Sequence, residues 1–396
     1  MAKRSSPSDK PVRRKENFLV FGAPCLGEEE ISEVVDSMKK RWIGTGPKVG
    51  MFEEEFRLLK GRKHAIAVNS CTAALHLAIL ALGIRPGDEV ITTPMTFCAT
   101  VNAIIHAGGV PVLADCKKDT MNIDPEEIEK KISARTKALL IVHFAGRPCE
   151  MDAIMELAHS YDLHVIEDCA HAIETEYHGR QAGCFGTIGC FSFYVTKNIT
   201  TGEGGMVITD DDRVAERIKM LALHGMSKDA WRRFSDTGYR HYEVIHAGFK
   251  YNMTDMQAAI GLHQLKKLEQ FRKRREEIWK FYNEAFKDLP VFLPPDPEPD
   301  TVHAYHLYTP LIDVDRLGKS RDWVLDAMTR ENIGVGVHYL PIHYHPYYRK
   351  ALNVKPGDFP AAEWIGDRTI SLPLSGCLTD EEVEDVVRAF RKVLGA

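Results

Sequence analysis

A carboxylate and a lysine leave two neighbouring apolar segments of this chain, each at the point where the segment ends. Asp168 closes residues 163–168, and Lys197 follows residues 191–195 and precedes a glycine-rich turn. Desolvation disfavours the charged form of a lysine, so such an amine becomes a usable nucleophile. The amine can form a Schiff base with the aldehyde of pyridoxal 5′-phosphate, while a carboxylate pairs with the protonated pyridine nitrogen. The two residues therefore predict an enzyme with Lys197 and Asp168 as its catalytic groups.

A polar turn before an apolar helix is the candidate phosphate site. Residues 65–75 read as a strand, a turn and a helix start, with Ser70 as the expected N-cap. Unpaired amides at a helix start attract anions, although an ordinary capped helix has the same pattern. Phe97 follows the next strand, where it could either stack on a cofactor ring or fill the core.

These groups need a scaffold that gathers strand ends. Short apolar runs alternate with helical ones up to about residue 210, as in an α/β fold whose mostly parallel central sheet is flanked by helices. Ligands bind such sheets beyond the carboxyl ends of the strands. The predicted strands are residues 65–68, 89–92, 111–114, 138–143, 163–167 and 206–209, and the predicted helices are 72–82, 99–107, 125–132 and 151–161.

The second half of the chain predicts a smaller α+β C-terminal domain. Residues 254–286 are charged and helix-periodic, with a buried stripe expected at Leu265, Leu268, Phe271, Ile278 and Tyr282. Five prolines within residues 290–299 mark a connection. Beyond it we expect strands at 303–312 and 334–339 and helices at 320–332 and 379–394.

Three segments follow from these patterns. Residues 1–17 carry six Lys or Arg against two acids and predict a disordered basic tail. Residues 18–253 form the predicted large cofactor-binding domain, and residues 254–396 comprise the connecting long helix and the small C-terminal domain.

Composition and motif spacing argue against several classes of function. A net charge of −5 and the lack of a long apolar run argue against nucleic acid and membrane partners. The nine cysteines have no CxxC pair and no disulfide-framework spacing, so we expect a reducing cytoplasm. Residues 44–50 lack the strand and the glycine spacing of a dinucleotide loop. His338, His343 and His345 offer no helical i, i+4 pair, so no metal site is expected.

Taken in order, six motifs resemble the DegT/DnrJ/EryC1/StrS family of sugar aminotransferases, which are pyridoxal phosphate enzymes of fold type I. The resemblance runs from about residue 18 to the C-terminus. The motifs are WIGTGP at 42–47, NSCTAAL at 69–75, VIEDCAH at 165–171, FSFYVTKN at 191–198, GEGG at 202–205 and GFKYNMTD at 248–255.

The resemblance implies a role for each matching position around the cofactor ring. Lys197 would hold the cofactor, and Asp168 would pair with the pyridine nitrogen. His171 would lie near the ring hydroxyl, where relatives carry Gln or His, and Phe97 would cover the ring face.

The resemblance also implies how the phosphate is held. Cys71, Thr72 and Ser192 would bind it from one subunit, and Asn252 would reach it from the partner subunit. The active unit would then be a homodimer with shared active sites. Many relatives carry Gly or Ala at position 71, so Cys71 departs from the family pattern.

Within the family, the chain is most similar to UDP-4-amino-4-deoxy-L-arabinose aminotransferases, through residues 302–307, 333–339 and 347–349. That likeness implies glutamate as amino donor and a UDP-linked 4-keto sugar aminated at C4, for lipopolysaccharide or another cell-surface polysaccharide. Amination at C3 stays open, and so does a regulator that binds cofactor or nucleotide sugar without catalysis. Related dehydratases carry histidine in place of the lysine, so Lys197 argues against that reaction. Residues 228–246 could be a mobile loop over the nucleotide diphosphate or an ordinary surface loop.

Overall fold

The computed structural model describes residues 10–226 and 243–395. In this part of the chain the helices are α1 (Glu28–Lys39), α2 (Pro47–Lys60), α3 (Cys71–Ala81), α4 (Cys98–His106), α5 (Pro125–Lys131), α6 (Met151–Ser160), α7 (Asp212–Ala222), α8 (Asp255–Leu265), α9 (Leu268–Phe286), α10 (Val314–Leu317), α11 (Arg321–Arg330), α12 (Pro346–Leu352), α13 (Pro360–Gly366) and α14 (Asp380–Leu394). The strands are β1 (His64–Val68), β2 (Glu89–Thr92), β3 (Val110–Leu113), β4 (Thr136–Val142), β5 (His164–Asp168), β6 (Glu176–Tyr177), β7 (Arg180–Gln181), β8 (Ile188–Ser192), β9 (Gly205–Thr209), β10 (Val291–Phe292), β11 (Thr301–Val302) and β12 (Leu311–Ile312).

A seven-stranded sheet in the order β1-β9-β8-β5-β4-β2-β3 organises the large N-terminal part. β9 runs antiparallel to its neighbours β1 and β8, and the other pairs are parallel. The predicted mostly parallel sheet is therefore confirmed. Since parallel strands end at the same edge, the carboxyl ends of β1, β2, β4, β5 and β8 lie together.

Helices cover both faces of this sheet. α3 has no polar face because it packs against β8, β9, α4 and α7, and nine of its residues are buried. On the other face, α2 and α8 pack against each other around Phe52, Phe56, Phe191 and Phe193. The strand residues accordingly read as near-continuous apolar runs.

The predicted single helix at 254–286 is wrong. The chain forms α8 and α9, with a break at Lys266 and Lys267. The Nζ of Lys267 donates to both carboxylate oxygens of Glu30 at 2.7 and 2.8 Å, which ties this corner to the first turn of α1. α8 then packs on α1 and α2, while α9 enters the C-terminal core.

The predicted strands at 303–312 and 334–339 are also largely wrong. Within them the structure has β12 and three isolated bridges, Tyr308 to Leu372, Leu311 to Thr369 and Gly336 to Ser371. The apolar side chains there do not alternate along a strand; they fill an aromatic core from an irregular backbone, with a positive φ of 48° at Tyr305. That core includes Trp279, Tyr282, Phe286, Tyr308 and Phe390.

The N-terminal segment differs from the prediction of a disordered tail within residues 10–17. The amide of Val12 donates to Glu331 at 2.7 Å, and Arg13 pairs with Asp385 at 2.8 Å. Ion pairs and backbone contacts thus hold this segment on the C-terminal core, while residues 1–9 lie outside the described residues.

Cys25 and Cys377 form a disulfide, although they lie 352 residues apart in the sequence. Their spacing along the chain carried no signal of this contact, and the structure differs here from the expected absence of disulfides. Among the described residues, no helix is both long enough and apolar enough to cross a bilayer.

Candidate active site

Asp168 is the last residue of β5 and is 4% exposed. One carboxylate oxygen accepts a hydrogen bond from Thr100 at 2.9 Å, and the other accepts one from the amide of Ala170 at 3.1 Å. Burial outweighs these bonds and raises the pKa of Asp168 above its usual range. A buried carboxylate in this state is suited to a cationic partner.

Lys197 lies five residues beyond the end of β8, and its amide donates to the carbonyl of Tyr194 at 2.9 Å. Burial lowers the pKa of the Lys197 amine to about 8, with Cys71 and Asp168 opposing the shift. A substantial fraction of this amine is unprotonated at mildly basic pH, as a nucleophile or proton carrier requires.

The turn predicted to hold phosphate lies directly beside Asp168. Ser70 is the N-cap of α3, as predicted, and its hydroxyl accepts from the amide of Ala73 at 3.1 Å. Cys71 begins the helix, with Sγ 4.0 Å from a carboxylate oxygen of Asp168. A side chain at Gly205 would meet the Ser70 carbonyl at 2.6 Å, so glycine lets this turn approach β9 closely.

Three further residues were predicted to hold the phosphate. Thr72 is exposed in the first turn of α3, and Ser192 ends β8 half-buried. Asn252 donates to the hydroxyl of Thr45 in the same chain at 2.5 Å. Their contacts with phosphate, and the reach of Asn252 from a partner subunit, remain predictions.

Phe97, Tyr339 and His171 form a connected group of rings, with Tyr339 in contact with the other two. Phe97 is 58% exposed at the N-terminus of α4, so it does not fill the core. Its ring centre lies 6.2 Å from that of Tyr339. Tyr339 in turn brings its hydroxyl to 3.1 Å from Nε2 of His171.

His171 has a defined tautomer in this arrangement. Its Nδ1 accepts a hydrogen bond from the amide of Ala145 at 3.2 Å, so the ring proton lies on Nε2 and is donated to Tyr339. Burial first, and then the positive charge of Lys197, lowers the pKa of His171 well below its usual range. The ring therefore stays neutral.

Sequence reasoning assigned no role to three residues at this site. Thr100 holds Asp168, His306 lines a cavity together with Lys197, and Tyr339 bonds to His171. Thr100 lies three residues after the predicted site residue Phe97, which is a weak signal. His306 and Tyr339 fall in motifs used for the resemblance, but the predicted strands there gave their side chains no direction.

The three candidate metal-binding histidines do not form a cluster. Nδ1 of His338 lies 2.7 Å from the hydroxyl of Ser371, whereas Nε2 of His343 lies 2.9 Å from Glu363. The predicted loop at 228–246 lies outside the described residues up to position 242.

His143, Glu167 and Cys169 place ligand atoms within 4.8 Å of one another. The carboxylate of Glu167 already accepts from the amides of Gly183, Phe185 and Gly186, each at 2.7 Å, and contacts His143. Glu167 therefore fastens the residues that follow β7 to the end of β5.

The described residues fit the chemistry of pyridoxal 5′-phosphate. An amine with a pKa of about 8, a buried carboxyl with a raised pKa and a capped helix start meet at one edge of the sheet. The aldehyde, pyridine nitrogen and phosphate of the cofactor need such a set.

Comparison with known proteins gives a consistent result. The model of the DegT/DnrJ/EryC1/StrS aminotransferase family matches residues 24–391. The spore coat polysaccharide biosynthesis protein SpsC of Bacillus subtilis is 49% identical over 384 residues, which is 97% of this chain and 99% of that protein.

Solved structures agree. PseC of Helicobacter pylori, an aminotransferase involved in the biosynthesis of pseudaminic acid, has a TM-score of 0.88 at 32% identity, covering 96% of this chain and 99% of its own. Spr1654 of Streptococcus pneumoniae in its PLP-form has a TM-score of 0.86 at 30% identity, covering 95% of this chain and 98% of its own. The predicted fold type I architecture is confirmed by these neighbours.

Proposed function

The chain belongs to the DegT/DnrJ/EryC1/StrS aminotransferase family, and from this premise we propose that it moves the amino group of glutamate to C4 of a UDP-linked 4-keto sugar. Its family and its neighbours indicate a sugar aminotransferase that depends on pyridoxal 5′-phosphate. The donor, the nucleotide and the carbon position are the parts that we add.

The pairing of Lys197 with Asp168 carries the proposal. Both side chains leave the same edge of the sheet, and burial shifts the pKa of each toward its uncharged form. Burying a lysine and an aspartate together is costly in a core that binds no ligand, but it is useful at a site that receives a charged heterocycle.

Pyridoxal phosphate, when bound, supplies an aldehyde that accepts amino groups and a ring that stabilises negative charge on the adjacent carbon. Asp168 would hold the proton on the ring nitrogen, because a nearby carboxylate favours that charged form. Thr100 and the amide of Ala170 fix the orientation of Asp168. The start of α3 would hold the phosphate.

Lys197 would bind the cofactor through its amine and, once released by the donor amine, would carry a proton. It would remove the proton from the α carbon of glutamate and deliver it to the cofactor carbon that takes up the amino group. The keto sugar would use the same proton carrier in the reverse direction. A pKa of about 8 allows the amine both to accept and to release this proton.

The sugar assignment rests on the resemblance of residues 302–307 and 333–339. These segments bring His306 into the cavity beside Lys197, and they place Tyr339 next to Phe97 and His338 next to Ser371. Imidazole and phenol groups are suited to the uncharged hydroxyl and keto groups of a sugar.

A homodimer is part of the proposal. α1 and the turn after it expose Ile31, Val35, Met38, Trp42 and Ile43, with exposed fractions of 39–60%. The first three recur at helical spacing on α1 and so form one apolar stripe, while Asp36 pairs with Lys40 and Lys48 beside it. The resemblance implies a homodimer, and we infer that the second copy of the chain covers this stripe.

The test is a substrate screen with the purified enzyme and pyridoxal phosphate. Glutamate is offered with UDP-, dTDP- and GDP-linked 4-keto and 3-keto sugars, and 2-oxoglutarate and the amino sugar are both measured. We expect fastest turnover with a UDP-linked 4-keto sugar. Faster amination at C3 would overturn the assignment of the carbon position. A preference for dTDP- or GDP-linked sugars would overturn the assignment of the nucleotide. Binding without turnover of any sugar would favour a non-catalytic regulator.

A further inference from the structure

A buried hydrogen-bonded chain leads from α9 to the residue after Lys197. Arg275 of α9 pairs with Glu174 at 2.5 Å, and their side chains are 2% and 7% exposed. The other oxygen of Glu174 accepts from the amide nitrogen of Asn198 at 2.6 Å. This nitrogen also donates to the carbonyl of Ala304 at 3.1 Å. Two acceptors therefore surround the Asn198 nitrogen and orient its side-chain oxygen away from them.

That oxygen lies 2.7 Å from Nδ1 of His306. Because an amide oxygen can only accept, Nδ1 of His306 must carry the ring proton. Nε2 is then an unprotonated acceptor. The backbone of His306 is held as well, since its amide donates to the carbonyl of Ala145 at 2.9 Å.

His306 is 5% exposed and lines the cavity that also contains Lys197 and Asn198. Its ring lies on that of His171, with centres 4.3 Å apart and planes inclined by 35°. The two imidazoles have opposite tautomers, since His171 carries its proton on Nε2. Two sets of hydrogen bonds thus hold a tilted pair of imidazoles beside the lysine.

We propose that His306 is a positioning residue whose Nε2 accepts a hydrogen bond from the ammonium of Lys197 once that group has taken the proton of the donor. Lys197 becomes an ammonium when it takes the proton from the donor carbon. A neutral acceptor on one side directs another N–H toward the atom that must receive the proton. His306 keeps its own proton on Nδ1 throughout and takes none from Lys197.

The surroundings of His306 keep its imidazole neutral, as a hydrogen-bond acceptor for Lys197 must be. It faces Lys197, His338, Arg275, His303 and the adjacent ring of His171. Burial first, and then the positive charge of Lys197, lowers the pKa of His306 well below the usual range. Lys197 faces Cys71 and Asp168, and its pKa of about 8 lets it hold a proton while His306 is neutral.

The inference rests on the proposed role of Lys197 but on no sugar, so its test uses the glutamate half-reaction. His306→Asn keeps a donor in the place of Nδ1 and removes the acceptor. His306→Gln restores an acceptor near the place of Nε2. His303→Asn is a matched control, because His303 is a buried imidazole on the same segment whose Nδ1 accepts from the amide of Tyr305.

We expect the single-turnover rate with glutamate to fall about tenfold to hundredfold in His306→Asn, the loss of one hydrogen bond to a charged group. Glutamate affinity should not change, and His306→Gln should recover most of the rate. The midpoint of imine formation between apoenzyme and pyridoxal phosphate should shift to lower pH in His306→Asn, because the ammonium loses its acceptor. Equal rates in His306→Asn and wild type would overturn the role, and so would equal losses in His306→Asn, His306→Gln and His303→Asn.

A measurement on the unaltered chain covers the case in which His306→Asn fails to fold. Imidazole ¹⁵N spectra of the apoenzyme, labelled at histidine, report which ring nitrogen carries the proton. We expect protonated Nδ1 and bare Nε2 for His306 from about pH 6 to about pH 9. A charged ring or the opposite tautomer in this range would overturn the proposal. A wild-type tautomer with no active sugar would instead count against the sugar assignment.

Discussion

The candidate site has a sheet side and a C-terminal side, and the two differ in how their groups titrate. On the sheet side, burial lowers the pKa of Lys197 to about 8 and raises the pKa of Asp168, so burial moves both groups toward their uncharged forms. On the C-terminal side, burial lowers the pKa of His338 to about 3 and raises that of Tyr339. The same physical cause, desolvation, therefore makes one side reactive and keeps the other neutral.

The difference follows from the charge that each group carries at neutral pH before it is buried. Lysine and carboxylate are charged at neutral pH, so burial moves them toward neutrality, whereas imidazole and phenol are already near or in their neutral forms. The sheet side can move protons and balance cofactor charge. The C-terminal side can position groups through fixed donors and acceptors without competing for those protons.

The largest expected effect is on the sheet side. Lys197→Ala should abolish turnover, by more than about a thousandfold, together with the imine absorbance, because the covalent attachment and the proton carrier are both lost. Absorbance spectra and steady-state rates measure the two effects. Lys63→Ala, which removes an exposed lysine paired with Asp212, is the control and should behave as wild type. Turnover retained in Lys197→Ala would place the reactive amine elsewhere.

Asp168→Asn should lower the rate of the glutamate half-reaction about a hundredfold to a thousandfold, because the ring nitrogen loses the charge that holds its proton. Cofactor binding should persist in part, since the amine and the helix start remain. Stopped-flow absorbance measures the step, and Asp212→Asn provides the matched change at an exposed carboxylate. A rate within about threefold of wild type would remove Asp168 from the chemistry.

Glu174→Gln tests the buried ion pair between Arg275 and Glu174, which stabilises the C-terminal side of the site. Without its carboxylate, Arg275 keeps a buried charge that nothing balances, and we expect the free energy of unfolding to fall by about 3–5 kcal/mol. Urea unfolding measures it. Glu284→Gln alters an exposed pair with Lys287 on the same helix and should leave the midpoint unchanged. Equal midpoints for the two variants would mean that the buried pair does not hold this side together.

Tyr339→Phe should have the smallest effect, a rate loss of about threefold to tenfold, because one hydrogen bond between neutral groups is removed. The loss should be the same from about pH 6 to about pH 9, since the raised pKa keeps the phenol neutral throughout. Tyr347→Phe, at a residue 59% exposed, is the control. A loss that grows with pH would show that Tyr339 titrates, and the contrast between the two sides would fail.

The sequence predicted the sheet side well because regular elements set the directions of its side chains. Asp168 and Lys197 follow apolar strands, and parallel strands must end together, so their proximity was predictable. Ser70 was predictable as an N-cap because serine is preferred directly before the first turn of a helix, and this preference depends only on neighbouring residues.

The C-terminal side could not be predicted in the same way. His306 and Tyr339 lie on irregular backbone, where no periodicity assigns a direction to a side chain. His306 bonds to the distant residues Asn198 and Ala145, and Tyr339 bonds to the distant His171. The Cys25–Cys377 disulfide and the docking of Arg13 on Asp385 likewise join residues that are remote in sequence.

The most direct test of the central claim is to map the covalent attachment of the cofactor. Enzyme loaded with pyridoxal phosphate is reduced with borohydride and digested, and the modified peptide is identified by mass spectrometry. We predict a single adduct on Lys197, formed by the apoenzyme at a rate that rises with pH through about 8 as the amine loses its proton. An adduct on another lysine, or none on Lys197 at any pH, would contradict the account.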